Sequence, residues 1–122
     1  MNDVARVLII EDNETNLYLA TFLLSKAGHE ILQARDGQRA LELADAVRPH
    51  LILLDIQLPI MDGYAVAGAL RENAALADVP IVAVTSYAMV GDRERILAAG
   101  CNGYIEKPIN PDTFVDELAA FL

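Results

Sequence analysis

Hydrophobic and polar positions follow two alternating patterns along the chain. Short runs are wholly or mainly apolar, which is typical of strands buried in a sheet. Longer segments between them place apolar residues three or four positions apart, which is typical of amphipathic helices. The first pattern predicts five strands, at residues 7–10, 30–34, 51–54, 81–84 and 103–106.

The second pattern predicts five helices, at residues 16–27, 37–47, 63–70, 92–99 and 111–122. Gly28 is a plausible stop for the first helix, and Asp62 is a plausible cap for the third. Asn110 is expected to cap the last helix, with Pro111 at its first position. Three apolar residues would form the inner face of that helix: Phe114, Leu118 and Leu122.

Regular alternation of strand and helix predicts an α/β fold. Consecutive strands would form parallel βαβ units with right-handed crossovers, and helices would cover both faces of the sheet. The 122 residues fit one domain, since no linker, repeat or low-complexity segment divides them. In an open sheet of this kind, ligands bind beyond the carboxyl ends of the strands.

Charge and cysteine content narrow the function classes. Eighteen acidic and nine basic residues give a net charge of -9, which disfavours nucleic acid and anionic membranes as partners. No apolar run is long enough to span a membrane, and no signal peptide is visible at the amino terminus. The single cysteine, Cys101, cannot form an intramolecular disulfide or a zinc cluster. We therefore expect a cytoplasmic protein.

Polar residues stand where four of the predicted strands end. If those strands are neighbours, their ends share one edge of the sheet, and three carboxylates, a hydroxyl and an ammonium converge there. The residues are Glu11-Asp12, Asp55, Thr85-Ser86 and Lys107-Pro108.

Clustered carboxylates need a cation or a proton. Two of them about 4 Å apart repel by roughly 1 kcal/mol in water and about 4 kcal/mol at an effective dielectric constant of 20. Because these predicted ligands are hard oxygens, Mg²⁺ is the natural cation. A carboxylate beside Mg²⁺ can attack phosphorus and become an aspartyl phosphate, with Thr85 and Lys107 binding the phosphoryl oxygens.

Each of these residues also has an ordinary interpretation. Glu11-Asp12 alone is more often a solvated loop or a helix cap, and Thr85-Ser86 alone is a turn. The joint placement at four strand ends favours a functional site, because chance would not select the same end each time. The run of charges at residues 92–95 indicates the solvated face of a helix, and His29 and His50 are expected to be solvated or structural.

Four segments resemble the receiver domain of two-component response regulators. They are VLIIEDNETN at 7–16, LILLDIQLPIMDG at 51–63, IVAVTS at 81–86 and GYIEKPI at 103–109. The resemblance covers the whole chain and implies a flavodoxin-like (βα)5 fold with strand order 2-1-3-4-5. The details are similar to the DivK type of single-domain regulator, and receivers within hybrid histidine kinases look similar.

The resemblance also implies the role of each site residue. Asp55 would accept the phosphoryl group, Asp12 would bind Mg²⁺ directly, and Glu11, where Asp is commoner, would bind it through water. The backbone carbonyl of Gln57 would complete the ligands. Thr85 and Lys107 would bind the phosphoryl oxygens, and Tyr104 would be the switch aromatic.

Two further features follow from the same resemblance. Lys107-Pro108 would carry a cis peptide bond, and the side chains of Gln57 and Tyr87 would flank the phosphoryl group. The donor would be a phosphohistidine on a histidine kinase or a histidine phosphotransfer protein. The downstream protein would bind the face formed by the fourth helix, the fifth strand and the fifth helix.

Three other interpretations stay open at this point. A phosphatase of the haloacid dehalogenase type also uses an aspartyl phosphate and Mg²⁺, although it needs a second Asp where this chain has Gln57. A flavodoxin-like electron carrier needs a phosphate-binding loop where this chain has Glu11-Asp12. The chain could also be a receiver domain cut from a hybrid histidine kinase or a larger regulator.

Overall fold

The computed structural model describes residues 4–58, 61–86 and 90–122, and strands alternate with helices throughout them. The strands are β1 (Arg6–Ile10), β2 (Glu30–Ala34), β3 (Leu51–Asp55), β4 (Ile81–Thr85) and β5 (Gly103–Glu106). The helices are α1 (Glu14–Lys26), α2 (Gly37–Val47), α3 (Gly63–Glu72), α4 (Val90–Ala98) and α5 (Phe114–Ala119). A short 3₁₀ helix at Ala74–Leu76, which the sequence did not predict, follows α3.

The strands form one parallel sheet in the order β2-β1-β3-β4-β5. The predicted α/β fold is confirmed, and so is the strand order that the resemblance implied. β1 and β3 lie at the centre, so the chain crosses from one half of the sheet to the other between α2 and β3.

Side chains alternate between the two faces of the sheet, and helices bury both faces. In β1, Leu8 and Ile10 point toward the layer formed by α2, α3 and α4, whereas Val7 and Ile9 point toward α1 and α5. Burial on both sides explains why the central strands are continuous apolar runs. Polar residues enter these strands only where the strands end.

α1, α2 and α3 each begin with a side-chain cap. The side chains of Asn13, Asp36 and Asp62 each accept a hydrogen bond from the backbone N–H three residues further on. The cap at Asn13 starts α1 at Glu14, two residues before the predicted start.

The last helix is shorter than predicted, and it begins after Thr113 rather than at Pro111. Asn110 lies in the turn ahead of α5, where its side chain accepts the N–H of Asp112 and its carbonyl accepts the N–H groups of Thr113 and Phe114. α5 ends at Ala119, so Leu122 is 49% exposed rather than part of the inner face. Phe114 and Leu118 lie in the core as predicted.

Among the residues that the structure describes, no helix is long and apolar enough to cross a membrane.

Candidate functional site

Four adjacent strands bring polar side chains to the carboxyl edge of the sheet. Glu11 follows β1, Asp55 and Thr85 end β3 and β4, and Lys107 follows β5. These strands are parallel and successive neighbours in the sheet, so their carboxyl ends lie side by side. The structure therefore brings together the strand-end residues that the sequence singled out.

Three carboxylates form a cluster at this edge. Glu11, Asp12 and Asp55 each offer one carboxylate oxygen, and these oxygens lie within 4.8 Å of one another. Glu11 is only 5% exposed and Asp55 only 2%, whereas Asp12 is exposed. A cation could therefore reach the buried pair from the side of Asp12.

One ammonium group lies against the buried pair. The Nζ atom of Lys107 is 3.0 Å from Oδ1 of Asp55 and 3.7 Å from Oε1 of Glu11. The backbone N–H of Lys107 also donates to the carbonyl of Thr85, which ties the segment after β5 to the end of β4. The Lys107–Pro108 peptide bond is cis, as predicted.

Burial and the neighbouring Asp55 both change the pKa of the Glu11 carboxyl. Burial raises the pKa of the Glu11 carboxyl from 4.5 to about 7, and a hydrogen bond and charge repulsion from Asp55 add to the rise. The N–H of Asn13, which donates to Oε2, and the charge of Lys107 oppose it. Glu11 therefore keeps its proton to a higher pH than a solvent-exposed glutamate does.

The loop after β3 fixes the Asp55 carboxylate. The backbone N–H of Gln57 donates to Oδ1 of Asp55 at 2.9 Å. The side-chain carbonyl of Gln57 accepts from the N–H of Ser86, directly after β4, at 3.5 Å. These contacts were missed in the sequence, since they depend on how the loop folds back over the strand end.

Gly63, at the start of α3, packs closely against the backbone of the same loop. A Cβ atom at this position would lie 2.4 Å from the Cα of Ile56 and 2.7 Å from the carbonyl oxygen of Asp55. The N–H of Gly63 donates to the carbonyl of Ile56, which brings the start of α3 against the loop. Only glycine permits this approach, and the Asp62-Gly63 pair was the sequence signal for it.

Thr85 and Tyr104 lie on adjacent strands near the cluster. Thr85 is 2% exposed, and it shares a sheet face with Ala83, two residues earlier. Ala83 pairs with Tyr104 in the strand register. The half-buried ring of Tyr104 lies under the guanidinium of Arg93, whose Cζ atom is 5.5 Å from the ring centroid. Tyr87, which was predicted to flank the phosphoryl group, lies outside the described residues.

Other candidates from the sequence lie away from the cluster. His29 and His50 are at the opposite edge of the sheet, where their Nδ1 atoms accept the backbone N–H groups of Ala5 and Arg6. Cys101 is buried, and burial raises the pKa of its thiol to about 11. These structural roles agree with the sequence interpretation.

The charged run on α4 does more than face solvent. Arg93 and Arg95 are exposed, as predicted, but both also stack on aromatic rings. Arg93 lies over Tyr104, and Arg95 lies over Tyr64 at 4.2 Å from its ring centroid.

The sequence matches the family model of the response regulator receiver domain over residues 7–119. It is 44% identical over 116 residues to the polar-differentiation response regulator DivK of Brucella anthropi, covering 95% of this chain and 94% of that protein. The DivK protein of Brucella ovis is 43% identical over the same length.

Solved structures agree with the sequence matches. The chemotaxis protein CheY4 of Vibrio cholerae has a TM-score of 0.94 at 29% identity, and the match covers 98% of this chain and 99% of that one. The receiver domain of the sensor histidine kinase PA1611 of Pseudomonas aeruginosa has a TM-score of 0.88 at 33% identity, covering 97% of both chains. That receiver domain was solved with a magnesium ion coordinated in its active-site cleft.

Proposed function

Because the chain belongs to the response regulator receiver family, we propose that Asp55 is its phosphoacceptor and that Mg²⁺ binds beside Asp55. The protein is a phosphorylation-switched signalling domain. The comparisons do not support a phosphatase of the haloacid dehalogenase type, and Gln57 stands where that class needs its second Asp.

The placement of Asp55 carries the proposal. Its carboxylate is buried at the end of a central strand, in contact with one ammonium and two further carboxyl groups. A fixed carboxylate at the open end of a strand is a suitable nucleophile for phosphorus. An oxygen of Asp55 attacks the phosphorus of a phosphohistidine, and a P–O bond forms as the P–N bond breaks. The electron pair of the broken bond stays on the imidazole nitrogen.

The donor set fits Mg²⁺. It consists of oxygens, and the Glu11 carboxyl, whose pKa is raised, can release its proton when a cation binds. Asp12 and Asp55 would bind the ion directly, Glu11 through water, and Gln57 through its backbone carbonyl. When bound, the ion would neutralise the carboxylates and the phosphoryl oxygens.

Lys107 and Thr85 would hold the phosphoryl group after transfer. The Lys107 ammonium already contacts Asp55, and the Thr85 hydroxyl can donate to a phosphoryl oxygen. A shift of Thr85 toward the phosphoryl group would vacate space on its face of the sheet, and Tyr104 would rotate into that space. This switch would change the surface formed by α4, β5 and α5.

Receiver domains of this kind interact with histidine kinases and with downstream targets. We expect a phosphohistidine on a kinase or a phosphotransfer protein to be the donor here, and a downstream protein to bind the α4-β5-α5 surface. In this proposal residues 1–122 act as one cytoplasmic receiver domain, whether alone or within a larger regulator. The domain would catalyse only its own phosphorylation and dephosphorylation, and it would bind neither nucleic acid nor membranes.

Phosphorylation by acetyl phosphate tests the acceptor. With Mg²⁺, the wild-type protein should gain one phosphoryl group by intact-mass spectrometry. Asp55→Asn should not, because an amide is not a nucleophile. Asp62→Asn is the matched control, since Asn also caps a helix well and Asp62 lies outside the cluster. Equal labelling of both variants would show that Asp55 is not the acceptor.

The switch is tested at the two neighbouring hydroxyls. Beryllofluoride with Mg²⁺ should shift the ring resonances of Tyr104 in the wild-type protein, and Thr85→Ala should reduce that shift while Mg²⁺ binding persists. Ser86→Ala is the control, because Ser86 is exposed and adjacent to Thr85. An undiminished shift in Thr85→Ala would remove Thr85 from the switch and leave the acceptor assignment intact.

A further inference from the structure

Helix α4 is held between two tyrosines by two arginines. Arg95 stacks on Tyr64 of α3, with its guanidinium carbon 4.2 Å from the ring centroid. Arg93 stacks on Tyr104 of β5, at 5.5 Å. The two arginines stand only two residues apart, so they leave the helix toward different neighbours.

These contacts join exposed side chains of α4 to its neighbours, in addition to the packing of Ile96 in the core. Among residues 91–98, Ile96 is the buried side chain, at 0% exposure, while Leu97 is an exposed apolar residue. Within the described part of the chain, the ion pairs include neither Arg93 nor Arg95. Each guanidinium is therefore available to its aromatic ring.

Arg93 contacts the one ring that the proposed switch moves. Tyr104 is half-buried and shares a sheet face with Thr85 through its register partner Ala83. A ring that rotates toward Thr85 leaves the surface on which the exposed Arg93 lies. The cation–π contact therefore belongs to the unphosphorylated orientation and is lost in the other.

We propose that Arg93 is a positioning residue that stabilises the unphosphorylated orientation of Tyr104. It thereby lowers the fraction of molecules in which the Tyr104 ring is rotated toward Thr85 before phosphorylation. The proposal rests on the proposed Thr85–Tyr104 switch. A ligand that binds the rotated state has an apparent affinity reduced by the fraction of molecules in that state. Loss of the Arg93 contact should raise this fraction, and with it the affinity for a phosphoryl mimic.

The test compares Arg93→Gln with Arg95→Gln. Both substitutions remove one positive charge from the same helix, so their long-range effects on an anionic ligand match. With Mg²⁺ saturating, Arg93→Gln should bind beryllofluoride ~2- to 5-fold more tightly than Arg95→Gln, as expected for one exposed cation–π contact. The difference should vanish when each variant is combined with Tyr104→Ala, because the contact then has no ring.

Tyrosine ring NMR gives a readout that a merely structural role would not move. Without ligand, Arg93→Gln should shift the Tyr104 resonance toward its beryllofluoride-bound position, whereas Arg95→Gln should leave it in place. Tyr104→Phe assigns that resonance among the four tyrosines. Equal beryllofluoride affinities for Arg93→Gln and Arg95→Gln would overturn the role of Arg93. Failure of beryllofluoride to move the Tyr104 ring in the wild-type protein would instead overturn the switch itself, and this proposal with it.

Discussion

Polar groups are paired differently at the two edges of the sheet, where the strands begin and where they end. At the amino edge, the N–H groups of Ala5 and Arg6 donate to His29 and His50. The Arg6 guanidinium also lies 3.9 Å from Glu30 and donates to the carbonyl of Val47. His29 and His50 lie in the loops that lead into β2 and β3, Glu30 begins β2 and Val47 ends α2. These interactions therefore tie the start of β1 to the segments on both sides of it.

At the carboxyl edge, hydrogen bonds are satisfied but charge is not. Among the described residues, no buried side-chain nitrogen or oxygen lacks a hydrogen-bond partner. Yet Glu11, Asp12 and Asp55 lie together, and in the described part of the chain the ion pairs of this cluster are those of Lys107 with Glu11 and Asp55. The polar groups at the amino edge are paired within the protein, whereas the carboxyl edge keeps an excess of carboxylates over cations. In our proposal Mg²⁺ offsets this excess.

The largest expected effect is a stabilisation by Mg²⁺ that depends on the carboxyl edge alone. At a free concentration about a hundred times its Kd, an ion that binds only the folded state raises the free energy of unfolding by about 2.7 kcal/mol. Asp12→Ala should abolish most of this gain in thermal unfolding. Glu30→Ala, which removes an exposed carboxylate from the amino edge, should retain it. Asp12 would not be a ligand if its substitution left the Mg²⁺ effect unchanged.

The second prediction concerns the pH dependence of the metal-free protein. Because the pKa of Glu11 is raised to about 7 in the folded state, its contribution to stability is complete below about pH 4.5 and is lost as the pH rises through 7. The Gln side chain of Glu11→Gln cannot ionise. The free energy of unfolding of this variant, relative to that of the wild type, should therefore rise by on the order of 1–3 kcal/mol between about pH 5 and pH 8. Urea unfolding with a chelator present measures this.

Glu30→Gln is the control for that series, since Glu30 is an exposed carboxylate at the amino edge. Its free energy of unfolding relative to the wild type should not rise with pH. If Glu11→Gln and the wild type instead stay parallel, Glu11 is ionised throughout and the proton at the carboxyl edge is absent.

The hydrophobic pattern predicted the five strands and the five α-helices but not the order of the strands in the sheet. The interior positions of β1, β3 and β4 are all apolar. Periodicity alone therefore cannot show which of these strands are neighbours, and the predicted strand order came from the resemblance. Leu122 continues the helical spacing of Leu118, which is why the last helix was predicted too long. Spacing does not reveal where a helix leaves the sheet.

Some features of the site could likewise be predicted from the sequence, and others could not. Glu11, Asp55 and Lys107 could be found from the sequence, because the carboxyl ends of parallel strands meet at one edge. The stacking of Arg95 on Tyr64 could not, since the two residues are far apart in sequence and the charges at 92–95 match an ordinary solvated face. The raised pKa of Glu11 depends on burial, which only the folded structure supplies.

The smallest expected effect lies at the amino edge, in His50→Ala. This substitution removes the acceptor that lies 2.9 Å from the N–H of Arg6. Because His50 is exposed, water can replace the imidazole, and the cost to the free energy of unfolding should be about 0.5–1 kcal/mol, near the lower end for one hydrogen bond. Urea unfolding measures this cost, and His29→Ala provides a second variant of the same kind.

Neither substitution should change the Mg²⁺ stabilisation or the rate at which acetyl phosphate modifies the protein. The two edges lie at opposite ends of the strands, so the cost of His50→Ala should also add to that of Asp12→Ala in the double variant. A change in the phosphorylation rate of His50→Ala would mean that the edges are coupled through β1, and the division between a structural edge and a functional edge would then be wrong.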